Sequence, residues 1–247
     1  MIDQPDSLYL SVVIPAYNEA LRLRPTLEKI VAYLRARDFT AEIVVVDDGS
    51  SDGTGDLARE VLDGQAPYRV LRNEPNRGKA LSVKRGLLEG HGQVVLFSDA
   101  DLSTPIEEAD KLLAEMRNGA DVAIASRQLP GSNLTVHQPW YREIGGRAFG
   151  KLNQLVLLPG IPDSQCGFKA FTREAAHAIL AHQKLTGWAF DAELLYIARR
   201  LGLKIAQVPV TWINDPNSKV KMLTDGMKMV RDLLRVKRLH RDLRSDG

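Results

Sequence analysis

The sequence predicts an α/β domain built on a mixed, mainly parallel sheet with helices against its faces. Two observations carry this prediction. Runs such as IVVV and VVLF are almost uninterrupted by polar residues, the pattern of strands covered on both sides rather than on one. These runs also alternate with helical patterns through residue 126, the order of a doubly wound sheet. In such sheets ligands bind beyond the carboxyl ends of the strands.

The elements follow in order. Apolar, β-branched runs bounded by turn residues predict strands at Tyr9–Pro15, Glu42–Asp47, Tyr68–Leu71, Gln93–Ser98, Asp121–Ser126 and Lys204–Trp212. Helical spacing between them predicts helices at about Ala20–Arg37, Thr54–Leu62, Gly78–Glu89 and Ile106–Arg117. Residues 127–139, rich in Pro, Gly, Ser and Asn, read as a loop. A helix over Tyr141–Leu157, a loop around 159–168 and a helix over Ala189–Leu201 come next. The last segment, Met222–Leu243, reads as an amphipathic helix. At a helical turn of about 100° per residue, Met222, Leu223, Met227, Met229, Val230, Leu233, Leu234 and Val236 form a broad apolar arc. Lys228, Arg231, Arg235 and Arg238 lie opposite.

Composition bounds the function. The 247 residues fit one large domain with an appendage, and 44% apolar with 26% charged residues is ordinary for a globular chain. A single cysteine, Cys166, excludes an internal disulfide framework and suits a reducing compartment. The N-terminal stretch MIDQPDSLYL lacks the apolar core of a signal peptide, and Leu155–Ile161 is too short to span a bilayer. The net charge of +2 hides an asymmetry: nine basic residues against three aspartates put +6 between Lys219 and Arg244 and leave −4 on the remainder. A basic tail on a mildly acidic body suits an anionic partner for the tail alone.

Three polar clusters fall at predicted strand exits: Pro15-Ala16-Tyr17-Asn18-Glu19, Asp47-Asp48-Gly49-Ser50-Ser51-Asp52-Gly53 and Asp99-Ala100-Asp101. Each alone also fits a turn followed by a helix cap. Together, on one edge of one sheet, they predict a binding site. Two carboxylates one residue apart suit a hard divalent cation, which takes few protein carboxylates and completes its shell with substrate phosphates. No Gly-x-Gly-x-x-Gly follows the first strand and no P-loop occurs, so dinucleotide and P-loop readings lose support.

Taken in order and spacing, VVIPAYNE, VVVDDGSSDGT, NRGKALSVKRG and SDADLSTP resemble the GT-A-fold inverting glycosyltransferases of family 2, over Tyr9 to about Arg127. Further on, DSQCGFKAF, WAFDAELLYIARR and VPVTW followed by SK look like dolichyl-phosphate β-glucosyltransferases and their polyprenyl-phosphate relatives. The resemblance implies that Pro15, Tyr17, Glu19, Asp47 and Asp48 hold the nucleotide, with Asp48 at the uracil. It implies that Asp99, Ala100 and Asp101 meet the diphosphate, Asp99 and Asp101 binding magnesium or manganese. Lys79 and Arg127 match basic positions beside the nucleotide sugar, and Asp163 falls in a matched active-site string. Arg142, Arg147, Lys169 and Lys219 are candidates for an acceptor phosphate. Two departures touch sugar and acceptor choice: Asn214 and Asn217 replace Glu and Gly of the relatives' Trp-x-Glu-x-x-Gly-Ser-Lys string, and Ser103 stands where mannosyltransferases have Gln.

The remaining polar residues read more plainly. Cys166 is expected to pack as a small residue, and the five histidines, without ligand spacing, to sit on the surface. Trp188, Phe190, Leu194 and Leu195 fit a packed helix face, on which Asp191 and Glu193 can turn to the acceptor. The expected division is a glycosyltransferase domain at 1–221 (nucleotide half 1–127, acceptor half 128–221) and a basic helix at 222–247. That helix either docks on the domain or a second subunit, or rests on anionic lipid at the cytoplasmic face of a membrane. The expected activity is transfer of a hexose, glucose from UDP-glucose, to a polyprenyl phosphate. The alternatives are a GDP-mannose enzyme, a soluble family 2 transferase for a small or polysaccharide acceptor, and a non-catalytic nucleotide-sugar binding module. A nucleic-acid partner has no supporting pattern.

Overall fold

The computed structural model of the protein describes residues 8–136, 140–214 and 222–243. Its elements run β1 (Leu10–Ala16), α1 (Ala20–Arg35), β2 (Ala41–Asp47), α2 (Thr54–Leu62), β3 (Tyr68–Arg72), α3 (Lys79–Glu89), β4 (Val94–Ser98), then a 3₁₀ turn at Ile106–Glu108 leading into α4 (Ala109–Arg117). The second half runs β5 (Val122–Ser126), β6 (Asn133–Val136), α5 (Trp140–Val156), β7 (Phe168–Thr172), α6 (Arg173–His182), α7 (Phe190–Arg200), β8 (Ile205–Pro209), β9 (Thr211–Ile213) and α8 (Met222–Leu239). Seven strands form one sheet in the order β3-β2-β1-β4-β7-β5-β8. Only β7 is antiparallel to its neighbours, β4 and β5. The mixed, mainly parallel sheet is as expected.

Side-chain alternation explains the uninterrupted apolar runs. Val12 and Ile14 of β1 face a core shared with Leu23, Leu27 and Ile30 of α1, whereas Val13 faces the opposite core with Val83 and Leu87 of α3. Both faces are therefore dry, and each buried Val or Leu contributes about 1.5–3 kcal/mol. Helix α3 approaches β1 so closely at Gly86 that a Cβ there would collide with Val13.

The structure corrects the sequence reading in four places. Residues 127–139 are not all loop, because Asn133–Val136 pairs with β9 in a separate two-stranded parallel sheet. The run Lys204–Trp212 breaks at Val210, so that β8 stays in the main sheet and β9 leaves it. Strand β7 and helix α6 fill a stretch whose sequence shows no clear period: Lys169 interrupts the apolar run FKAFT, yet it is as buried as its neighbours. Finally, the apolar arc of α8 is divided. Leu233 and Val236 enter the core beside α7, whereas Met227 and Leu234 are 71% and 57% exposed. Those two share the outer face with the exposed Arg231, Arg235 and Arg238. Among the described residues no helix is long and apolar enough to cross a membrane.

Candidate active site

Strands β1, β2, β4 and β5 run parallel to one another, directly or through the sheet, and their carboxyl ends share one edge. At the exit of β1, Asn18 adopts a left-handed backbone (φ 52°), a conformation Asn tolerates better than most residues. Its N–H donates to the Ser50 hydroxyl at 2.9 Å, and its side-chain oxygen accepts from the Ser51 N–H at 2.9 Å. The Glu19 N–H donates to the Thr54 hydroxyl at 2.9 Å, and the Glu19 carboxylate pairs with Arg22. The first two polar clusters are thus laced into one wall. Tyr17 stands out of it, 44% exposed, and Pro15 closes the strand below.

The adjacent aspartates of the second cluster, Asp47 and Asp48, bind protein groups. Asp47 accepts from the Ser50 N–H at 2.9 Å and from Arg72 at 2.7 Å. Asp48 accepts from the Asn73 amide at 2.8 Å and from the backbone N–H groups of Arg77 and Gly78 at 2.9 and 2.7 Å. Both carboxylates are buried, and Asp48 fixes the loop leading into α3. That loop delivers Lys79, whose ammonium lies 2.5 Å from Asp99 and 5.9 Å from the centre of the Trp188 ring.

The third cluster is a tight turn. The Leu102 N–H donates to the Asp99 carbonyl at 3.1 Å, and Leu102 itself is buried with φ at 45°, so its side chain anchors an unfavourable backbone. The Ala100 carbonyl accepts from Thr26 at 2.7 Å, and Asp101 accepts from the Ser103 N–H at 2.9 Å. Burial, reinforced by the like charge of Asp99, raises the Asp101 pKa above the ordinary carboxylate value. A cation between the two carboxylates would relieve that repulsion. Among the described residues no three His, Cys, Asp or Glu side chains gather into a fuller ligand set. Two carboxylates one residue apart, Asp99 and Asp101, are a donor set that fits a hard divalent ion whose other ligands are diphosphate oxygens and water.

At the exit of β5, Arg127 donates from its backbone N–H and two guanidinium nitrogens to Asp163 at 2.9, 2.7 and 2.8 Å, a fork on a carboxylate. Burial pulls the Asp163 pKa up, but Arg127 outweighs it and holds the carboxyl below its usual range. The guanidinium also lies 5.4 Å from the centre of the Trp212 ring. Cys166 is buried next to this pair, and burial pushes its thiol up to about 11, a packed and unreactive sulfur as expected.

Other candidates sit elsewhere than expected. Lys169 is not a solvated partner for a phosphate: it is fully enclosed and donates to Asp191 and to the Cys166 carbonyl, each at 2.6 Å. Asp191 faces that lysine. Glu193 does not turn to the acceptor side, since it accepts from the Lys184 and Leu185 N–H groups at 3.0 and 2.9 Å and contacts His240 at 2.7 Å. His240 is consequently buried rather than superficial, clamped between α7 and the end of α8. Arg142 and Arg147 lie on α5, but their side chains are outside the described ones, and Lys219 lies outside the described residues. Trp188, expected on a packed helix face, precedes α7 and is half-buried, its ring beside the Lys79 ammonium.

A family model described as glycosyl transferase family 2 matches residues 11–180. The chain is 35% identical over 244 residues to a protein of Dictyostelium discoideum named dolichyl-phosphate beta-glucosyltransferase, covering 94% of this chain and 75% of that protein. It is 36% identical over 248 residues to the protein of that name in Drosophila melanogaster (95% and 76% covered). The Homo sapiens protein of that name is 35% identical over 238 residues (91% and 74%). Among solved structures, mannosyl-3-phosphoglycerate synthase from Rubrobacter xylanophilus aligns with a TM-score of 0.69 at 22% identity, covering 97% of this chain and 78% of that one. Glucosyl-3-phosphoglycerate synthase from Mycobacterium tuberculosis, crystallised with Mn2+, UDP and glucosyl-3-phosphoglycerate, aligns with a TM-score of 0.63 at 20% identity (97% and 82%). These two likenesses establish the fold.

Proposed function

Because the chain belongs to glycosyl transferase family 2, we propose that it transfers glucose from UDP-glucose, with inversion, to the phosphate of a long-chain polyprenol such as dolichyl phosphate. The observation that carries this reading is 35% identity over 94% of the chain to a protein named for that reaction. The arrangement of charges at the strand exits supports it. We place the enzyme peripherally, at the cytoplasmic face of a membrane, with the outer face of α8 toward anionic lipid.

Asp99 and Asp101 would hold the divalent ion, magnesium or manganese, which supplies charge neutralisation for the departing diphosphate. Lys79 brings a second positive charge to the same place, and Tyr17 offers an exposed ring for the base. Asp48 acts by fixing the Arg77–Gly78 backbone that borders the nucleotide. Arg127, locked by Asp163, keeps its guanidinium oriented without reorganisation, as transition-state stabilisation requires. A phosphate monoester with a second pKa of about 6 is already anionic at neutral pH, so the protein needs alignment more than a strong base. Arg142, Arg147 and Lys219 are the proposed partners of that phosphate.

A radiolabelled-donor panel tests the proposal: UDP-glucose, UDP-galactose and GDP-mannose against polyprenyl phosphate, each with manganese or EDTA. Glucose transfer is expected from UDP-glucose with manganese alone, and Asp101→Asn is expected to lose it while remaining folded. Preference for GDP-mannose, or full turnover in EDTA, rejects the reading.

A further inference from the structure

Two fully buried charges beneath the site have no counterpart in its polar motifs. Lys169 lies mid-strand in β7, opposite Phe97 of β4 and Ile124 of β5, with its ammonium 5.3 Å from the centre of the Phe97 ring. Replacing a buried ion pair by apolar residues is often neutral or stabilising. Stability alone therefore does not explain a lysine in the centre of the sheet.

What the pair touches suggests its role. Lys169 donates to the Cys166 carbonyl at 2.6 Å, which fixes the turn just before Gly167. The Gly167 carbonyl in turn accepts from the Asp99 N–H at 3.1 Å. The Asp99 carboxylate lies against the bare Cα of Gly167, where a Cβ would collide with it. On the other side, Asp191 opens α7 and accepts from Lys169 at 2.6 Å. The contacts thus run from Asp191 through Lys169 and the Cys166–Gly167 turn to Asp99.

We propose that the Lys169–Asp191 pair and Gly167 are positioning residues for Asp99, setting the carboxylate that binds the divalent ion. This rests on Asp99 and Asp101 being the cation-binding carboxylates. The pair acts from below through the Cys166–Gly167 turn. Partners that orient metal ligands typically affect metal affinity roughly ten- to a hundredfold.

The test uses the full chain in three variants. Lys169→Met with Asp191→Leu removes both charges at similar volume. Gly167→Ala leaves the charges and intrudes on Asp99. Glu42→Gln is a control, breaking a buried contact at the far end of the sheet. Calorimetry measures Mn2+ affinity with saturating UDP, and thermal unfolding in EDTA measures the fold. We expect Mn2+ affinity to fall roughly tenfold or more in the first two variants, with an unfolding midpoint near wild type. The control should lower the midpoint and leave Mn2+ affinity unchanged. Wild-type affinity in the folded double variant overturns the role of the pair, and in Gly167→Ala it overturns that of the turn. Should the double variant not fold, Gly167→Ala decides, because the pair is argued to act through that turn. A wild type that binds Mn2+ and UDP but transfers no hexose to polyprenyl phosphate sinks the functional proposal and leaves this one standing. A wild type that binds no Mn2+ overturns both.

Discussion

Asp48 accepts three hydrogen bonds from the segment that leads into α3, two of them from backbone N–H groups. A residue at a strand exit is usually cheap to change, but this one is buried and acceptor-only. Asp48→Asn turns an amide NH2 toward one of those N–H donors and leaves it unsatisfied. We expect about 2 kcal/mol of lost stability together with weaker UDP binding, since the same loop borders the nucleotide and carries Lys79. Urea unfolding and UDP calorimetry on one preparation measure both. Loss of affinity without loss of stability would mean that Asp48 meets the base directly.

At the scale of elements, α8 has two jobs on two faces. Its inner face completes the core next to α7, and His240 pairs with Glu193 there. The Lys184 side chain and Arg200 bond the carbonyls of Leu239 and Leu243 at the helix end. Leu233→Ala is therefore expected to cost about 3 kcal/mol. Deleting the helix would strip the same core, so deletion does not isolate attachment to lipid. Met227→Ser with Leu234→Ser changes only exposed positions and should alter stability by less than about 0.5 kcal/mol. That variant is expected to release the protein from anionic vesicles in sedimentation, and wild-type binding should weaken with salt. Equal sedimentation of variant and wild type would remove α8 from the membrane reading.

The whole molecule carries its acid sensitivity in buried carboxylates. Burial pulls the Glu42 carboxyl upward, but Arg69, the His91 N–H and the Ser11 hydroxyl outweigh it and hold it below the ordinary range. A depressed folded-state pKa gives stability that is present above the unfolded value, about 4.3, and lost as pH falls through the folded value. Asp163 beside Arg127 has the same sign. Unfolding free energy should be flat near neutrality and fall below about pH 4.5. Glu42→Gln should start about 2 kcal/mol lower, because it weakens the charge-assisted bonds from Arg69 and turns an amide NH2 toward a donor that the carboxylate accepts from, and should fall less steeply. Guanidinium titrations across this range check it. Parallel curves for the two proteins would show that Glu42 contributes nothing to the acid limb.

The parallel half of the molecule is legible in the amino-acid sequence, because there each local signal agrees with the fold. Val12, Val13 and Ile14 are buried on alternating faces, so an unbroken apolar run is the direct imprint of a sheet covered on both sides. The strand-exit clusters are legible for the same reason: polar residues after an apolar run mark the carboxyl edge of the sheet. What depends on partners distant in sequence emerges only when the chain is folded. Lys169 reads as a surface cation until Asp191 is brought 2.6 Å from it, and His240 reads as superficial until Glu193 meets it. The arc of α8 is a single stripe in the sequence, and only packing on α7 divides it into a buried and an exposed edge. Burial of a charge is a property of pairs, set by where the fold places the second member, and no periodicity in one chain segment encodes it.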